Sequence, residues 1–562
     1  MRRVPSIVLM TALLLAWSLA ASVGMQAPGA AAPIAAAGLR ADFNGDGAAD
    51  LAIGAPGESL GPGQAAAGVV HALYGSAGGL TGPGSQLWSQ DTAGVAGTAE
   101  AGDGFGDALA AGDFNADGRA DLAVGVPSEN ATTGVVFGTG VVHVLYGSAD
   151  GLTAAGSQLW SQDSPGVGGV AEVGDGFGSG LAVGDFNADG HGDLAVGVFG
   201  ENQDRGVVHV LAGSPVGLTG TGSQLWSQGS GGVAGIAEAG DSFGFALATG
   251  AINAGGHADL AIAAPSEDVG NVADAGAVNV LYGSAGGLTA ADDQQWFQDS
   301  PGVAGVSETQ DFLGSALATG DYNGDGRADL AAGAPGETLA VVAEAAGAVN
   351  VLYGSAGGLT AAGNQVWSQD SPGVAGVTQP RDLFGSALAG GDFNSDGRAE
   401  LAIGVPGETL GDIPNPIPEA GVVHVLSGTP GGLTGTGSQL WTQDSPGIAD
   451  QAEDSDRLGT ALAAGDFNTD GPTDLAVGAP GENLNVGFGS GVVHALLGSN
   501  AGLTATGSQL WSQDSPGVAG APEFLDFFGQ TLTASVPNPA GANPGGAATA
   551  GEPTRPAPQQ RR

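Results

Sequence analysis

The chain contains no cysteine and no lysine. Without cysteine there is no disulfide framework, no thiol nucleophile, no thiolate-held zinc or iron–sulfur centre and no lipid-modified N-terminal cysteine. Basic residues are scarce: 12 Lys+Arg stand against 58 Asp+Glu, a formal net charge of -46. That balance argues against nucleic acid, whose phosphates need cationic partners, and against a polybasic membrane contact. Apolar runs with a helical period are also missing beyond the first twenty residues, which leaves little room for a helical core.

What is abundant is glycine and proline, 107 and 30 of the 562 residues. Such a composition reads as disorder unless a period organises it. The ends carry no period. Arg2 and Arg3 precede an apolar run from Ile7 to Ala20, followed by small residues, the order of a secretory signal and too short for a membrane span. Residues 1–30 are therefore expected to be a signal peptide and spacer, with cleavage after Ala20 or a little later, and the mature protein to be secreted, extracellular and without a transmembrane span. Residues 536–562, rich in Pro, Gly and Ala, are expected to be a disordered tail.

Between the ends, Trp88, Trp160, Trp226, Trp296, Trp367, Trp441 and Trp511 recur at spacings of 72, 66, 70, 71, 74 and 70 residues. Each sits in a phrase like Ser-Gln-Leu-Trp-Ser-Gln-Asp. Three further phrases repeat in phase: Phe105-Gly106-Asp107-Ala108-Leu109-Ala110, Asp121-Leu122-Ala123-Val124-Gly125-Val126-Pro127, and Val141-Val142-His143-Val144-Leu145-Tyr146-Gly147. Short apolar or alternating runs bounded by Gly, Pro, Asp or Ser are strand signatures, so each repeat offers about four strands. Units that cannot bury a face alone must stack, as a ring or as a linear solenoid. The first repeat lacks a Phe-Gly phrase, and the chain ends on an orphan one, Phe528-Gly529-Gln530-Thr531-Leu532-Thr533. This predicts an all-β fold over residues 37–535. It is a seven-bladed β-propeller of four-stranded antiparallel blades, its ring closed by a C-terminal strand that leaves no long open edge. Whether that strand replaces residues 37–41 as the inner strand or lies beside them stays open at this point.

After each Phe-Gly strand comes a nine-residue loop, Asp-x-Asn-x-Asp-Gly-x-x-Asp. Its copies are Asp42, Asn44, Asp46, Ala48, Asp50; Asp113, Asn115, Asp117, Arg119, Asp121; Asp185, Asn187, Asp189, His191, Asp193; Asp321, Asn323, Asp325, Arg327, Asp329; Asp392, Asn394, Asp396, Arg398, Glu400; and Asp466, Asn468, Asp470, Pro472, Asp474. Oxygen ligands at alternate positions, with Gly at position six for the bend, suit Ca²⁺. The seventh position varies because it is expected to give only its backbone carbonyl. Acidic turns that merely link strands are the plain alternative, but crowded carboxylates repel without a cation. An EF-hand is excluded, because its twelfth-position Glu is replaced here by Ile53, Val124 or Val196 within a strand. About six calcium sites are expected. The fourth repeat, Ala251-Ile252-Asn253-Ala254-Gly255-Gly256-His257-Ala258-Asp259, lacks two ligand carboxylates and is expected to hold no metal.

These phrases resemble FG-GAP repeats, as in the β-propeller at the N-terminus of integrin alpha chains. The Phe-Gly half stands at Phe105-Gly106, Phe177-Gly178, Phe243-Gly244 and Phe384-Gly385, with Leu313-Gly314 and Leu458-Gly459 as variants. The Gly-Ala-Pro half stands at Gly54-Ala55-Pro56, Gly333-Ala334-Pro335 and Gly478-Ala479-Pro480. The resemblance implies a seven-bladed propeller with Ca²⁺ in hairpin loops between the first two strands of a blade. It does not imply an integrin, whose leg region, metal-dependent ligand domain and membrane span have no counterpart in these phrases, and it speaks to fold more than to function.

A second acidic set lies sixteen residues after each loop's first position: Glu58, Glu129, Glu201, Glu267, Glu337, Glu408 and Glu482. A third lies three residues before each Phe-Gly glycine: Asp103, Asp175, Asp241, Asp311, Asp382, Asp456 and Asp526. Because strands alternate direction, both sets are expected on the face opposite the calcium loops. Glu267 and Asp241 persist where the loop has decayed, so their role is not that calcium. Locking loops and blades by hydrogen bonds is the structural reading, and an acidic rim for cations or basic ligands the functional one. Segments after these Glu differ in length, the place where a repeat protein builds a distinctive binding surface.

His71, His143, His209, His424 and His494 share one strand position with Asn279 and Asn350 and are expected to make a blade-internal hydrogen bond. The repeat Trp are expected to anchor the outer strand, with sugar stacking as the alternative. Asn130-Ala131-Thr132 fits a glycosylation sequon. No nucleophile elbow or other catalytic constellation is recognised, and no enzyme is expected. The reading is a secreted calcium-binding propeller acting as an extracellular binding or adhesion module, a monomer whose ligand is an unknown extracellular protein or glycan. A lectin, or less readily an extracellular hydrolase or lyase, is the alternative.

Overall fold

A computed structural model describes residues 41–129, 138–339, 344–411, 414–484 and 487–534. The signal segment, the tail and the Asn130 sequon lie outside them. Among the described residues no helix is long and apolar enough to cross a membrane.

Twenty-eight strands form seven four-stranded antiparallel sheets. The second blade shows the plan: β4 (Ala108–Gly112), β5 (Asp121–Val126), β6 (Val141–Ser148) and β7 (Gly151–Trp160) pair in chain order. The next five repeat it, ending at β27 (Thr504–Trp511). The first blade is composite. Here β1 (Leu51–Ala55), β2 (Val69–Tyr74) and β3 (Thr81–Trp88) are joined by the last strand, β28 (Thr531–Thr533). Leu532 pairs with Ile53 as Leu109 pairs with Val124, so the C-terminal strand takes the inner place. Contacts between inner strands then run through the whole ring, and β28 touches both β4 and β24 (Ala461–Gly465).

Each blade is covered on both faces by its neighbours. That is why the second strand reads as a continuous apolar run rather than an alternating one: β5 is buried at all six positions. The core divides into inter-blade clusters. One unites Val70 and Trp88 with Phe105, Leu109 and Leu122 from the next blade, and the ring-closing one unites Leu51 and Ile53 with Val493 and Phe528. The two halves of the repeat phrase meet at these boundaries. A Cβ on Gly125 would lie 2.2 Å from the Gly178 carbonyl oxygen, and Gly178 itself sits at φ 95°. Neither place accepts a side chain without moving backbone.

Candidate functional site

The nine-residue loops lead into the second strand of each blade, from the first strand in all but the composite first blade, and so lie together on one face of the ring. Each curls around its own backbone donors. In the second blade, Asp113 Oδ1 accepts from Asp117 N at 3.1 Å and Oδ2 from Gly118 N at 2.8 Å, while Asn115 Oδ1 accepts from Asp117 N at 2.8 Å and Asp117 Oδ1 from Arg119 N at 2.9 Å. The ninth position is the buried strut. Asp121 accepts from Phe114 N at 3.0 Å and from Gly147 N, near the end of the third strand, at 2.9 Å. Asp50, Asp193, Asp329, Asp474 and Glu400 repeat both bonds. So does Asp259 of the decayed fourth loop, to Ile252 N and Gly283 N. The ninth carboxylate therefore has a loop-tying role that persists without its acidic neighbours.

Electrostatics separates the fourth loop from the rest. Burial pushes the Asp121 carboxyl up to about 8, against the pull of its two N–H donors, and the charges of Asp113 and Asp117 add to the rise. Asp50 and Asp329 also reach about 8, with the same neighbours' repulsion. Burial raises Asp259 only to about 6, because a third donor, Asn253 N at 3.0 Å, joins Gly283 N and Ile252 N, His257 also lowers it, and no loop carboxylate faces it. In six loops charge is thus concentrated beyond what the backbone donors neutralise, and the donor set of carboxylates and an amide carbonyl fits a hard cation such as Ca²⁺. Side chains at the seventh position reach the neighbouring loop carboxylates. Arg398 pairs with Asp396 at 3.1 Å, Arg327 with Asp325 at 3.7 Å, and His191 Nδ1 lies 3.0 Å from Asp189.

The opposite face carries both other acidic sets, one pair at each blade junction. Each Asp accepts from the backbone N–H three residues earlier, as Glu308 N donates to Asp311 Oδ2 at 2.5 Å. Each Glu is held by the neighbouring blade: Gln162 donates to Glu201, Gln228 to Glu267 and Gln298 to Glu337, all at 2.6 Å, with Gln90–Glu129, Gln369–Glu408 and Gln443–Glu482 alike. Gln513 donates to Glu58 at 2.6 Å and so closes the circle. The Glu are locked by side-chain amides across the junction, Glu482 accepting also from Asn483 N at 3.0 Å, while the Asp take the loop N–H groups. These Gln, the second of each Trp phrase, were not singled out from sequence, although their recurrence in all seven phrases was the available signal. The first Gln of the phrase is a second clamp. Gln158 bonds both Leu218 N and Leu218 O of the next blade, and Gln509 bonds Leu80 likewise across the closure.

One expectation is revised and another is met. The strand histidines do not share a common hydrogen bond: both ring nitrogens of His71, His209 and His424 are buried without a partner. They pack instead on the Phe-Gly rings, His71 with Phe528 at 5.1 Å and His143 with Phe105 at 5.3 Å. Only the Asn variants make the bond, Asn279 to Ala234 O and Asn350 to Ala304 O. The repeat Trp pack into the inter-blade clusters, with Trp88 and Trp367 buried, so they anchor the outer strand.

The family model for the FG-GAP repeat matches residues 35–73, 105–145, 177–211, 313–352, 384–426 and 458–496. The chain carries six FG-GAP repeats. The six matches pass over the fourth blade, whose loop keeps only the last of its three carboxylates. Among curated relatives, this FG-GAP chain is 35% identical to phosphatidylinositol-glycan-specific phospholipase D of Rattus norvegicus over 30% of its length and 18% of the relative's. It is 31% identical to integrin alpha-PS2 of Drosophila melanogaster over 40% of its length and 14% of the relative's. The matched region thus spans less than a fifth of either relative. A solved rhamnogalacturonan lyase, YesW, superimposes at a TM-score of 0.32 and 14% identity over 70% of this chain and 71% of that one, a likeness too loose to speak for chemistry.

Proposed function

We propose that this FG-GAP propeller is an extracellular binding or adhesion module, stabilised by calcium in six of its loops, whose ligand docks on the junction face. One observation carries the reading. Seven-fold repetition makes most of the ring uniform, yet four consecutive junctions expose an aliphatic side chain at one equivalent position: Val170 (65%), Ile236 (73%), Val306 (63%) and Val377 (72%). The other three junctions carry Thr98, Gln451 and Ala521 there. An apolar arc beside a ring of acids, flanked by loops of unequal length, is a surface made to be covered. Similarity to integrin alpha chains supports a protein or glycan partner outside the cell, and the Arg2-Arg3 leader pattern supports export. The loops would hold calcium through Asp113, Asn115, Asp117 and Asp121 and their counterparts, supplying electrostatic stability rather than chemistry. The phospholipase D relative keeps an enzymatic role open, although the match covers 18% of that protein.

The test is adhesion of the purified full chain to panels of extracellular matrix proteins and glycans, with calcium and with chelator. A ligand retained in calcium and lost by Ile236→Asp with Val306→Asp, at unchanged melting temperature, is the expected result. Silence on both panels, or binding indifferent to the pair, overturns the docking surface.

A further inference from the structure

The junction between the sixth and seventh blades shares its Glu-Asp-Glu triad with five others, where Glu100, Glu172, Glu238, Glu308 and Glu523 take the place of Glu453, and is set apart by how closely the oxygens approach and by Asp450. Among the described residues it holds the one group of three metal-ligating side chains whose oxygens all lie within 4.8 Å of one another: Glu453, Asp456 and Glu482. The carboxylates of the nine-residue loops are spread more widely. Glu453 is exposed and forms the mouth, while Asp456 and Glu482 are buried behind it.

Two further features are shared with other junctions, the buried unpartnered Gln oxygen at all seven and the Asp oxygen at five, and one, Asp450, is found at this junction alone. Asp456 Oδ2 accepts from Glu453 N at 2.5 Å, but Oδ1 is buried without a hydrogen-bond partner. Gln443, 1% exposed, reaches the cluster by donating to Glu482 Oε2 at 2.9 Å, and its carbonyl oxygen is likewise buried and unpartnered. A fourth carboxylate, Asp450, stands where the other junctions have Gly97, Gly169, Gly235, Gly305, Gly376 and Gly520. A Cβ at Gly97 would face the junction, 3.5 Å from both Gln90 Nε2 and His143 Cε1. Asp450 follows that direction, its Oδ2 lying 3.7 Å from the buried Nε2 of His494. Arg457, next in sequence to Asp456, turns to Glu419 at 2.6 Å. Burial, then Asp456, Asp450 and Glu453, push the Glu482 carboxyl up to about 8.

We infer that Glu453, Asp456 and Glu482 bind a hard divalent cation of the calcium or manganese class at this junction, with the buried oxygens of Asp456 and Gln443 and the carboxylate of Asp450 completing an all-oxygen donor set. Oxygen donors of this kind select such ions over thiophilic metals. The ion would join blade six, which carries Gln443, to blade seven, which carries Glu482, on the face opposite the nine-residue loops. This site does not depend on calcium in those loops.

Crystals of the full chain soaked in manganese(II) chloride, examined by anomalous diffraction, test it by position. The expected result is a peak enclosed by Glu453, Asp456 and Glu482. That peak should vanish in the double variant Asp450→Gly with Glu453→Gln while any loop peaks stay, and titration in solution should count one ion fewer. Both replacements occur naturally at other junctions, Gly at six and Gln379 at one, so the fold tolerates them. A junction peak with bare loops supports this site and overturns the loop reading. Filled loops with a bare junction do the reverse. A peak that survives the double variant, or equal peaks at all seven junctions, overturns the assignment to this cluster.

Discussion

At the scale of single residues, the junction carboxylates store charge at a cost. Burial raises Glu337 from 4.5 to about 7, Asp311 adds repulsion, and the Gln298 amide pulls back. The folded chain therefore keeps a proton that the unfolded chain releases between those values. The stability this group contributes is complete below about pH 4.5 and is lost as pH rises through about 7. Glu337→Gln keeps an acceptor for Gln298 without the charge. Thermal melts at fixed calcium from pH 5 to pH 8 should show the wild type losing more stability than the variant. Identical slopes would mean the charge costs nothing where it lies. The comparison isolates this group from the buried histidines, whose effect has the opposite sign: burial lowers His71 to about 3, so its contribution is present above pH 6.5 and lost on acidification.

At the scale of elements, the decisive piece is the three-residue strand β28. Its pairing with β1 is reinforced by Gly529 N to Gly54 O at 3.1 Å and by Thr531 Oγ1 to Gly106 O at 2.6 Å. Leu532 is as buried as Leu181 of β8 (Gly180–Gly184), its counterpart in the third blade. Truncating either to Ala should cost about 2–5 kcal/mol, the range for a fully buried leucine. Denaturant unfolding measures both. A far smaller cost for Leu532→Ala would show that the terminal strand does not carry the load of an inner strand in solution. Short as it is, β28 covers what would be an open edge on β1.

At the scale of the whole molecule, calcium is expected to act by linkage. An ion that binds only the folded loops adds about 2.7 kcal/mol per site at a hundredfold excess over its dissociation constant. Chelator should therefore lower the melting temperature, and the fourth blade supplies an internal control. In hydrogen exchange, chelation should speed exchange at the Phe114 and Gly147 amides, which rest on Asp121 among charged neighbours. The Ile252 and Gly283 amides, which rest on Asp259 without them, should hold. Uniform change across all four amides, or none, would remove calcium from the account.

Local pattern was enough for much of this. Trp spacing counted the blades, short apolar runs placed the strands, and the Asp-x-Asn-x-Asp-Gly phrase set the loops on one face, because each depends on residues near in sequence. The sequence also showed an orphan Phe-Gly phrase, but not that β28 would take the inner place, since that is settled by pairing between Leu532 and Ile53. The same holds for the Gln513–Glu58 clamp, the histidines packed on phenylalanine, and the Glu453–Asp456–Glu482 cluster. The clamp and the His71–Phe528 contact join termini that only ring closure brings together, whereas His143 on Phe105 and the carboxylate cluster lie within one repeat and depend on side-chain placement; closure itself follows from burying both faces of every sheet at once.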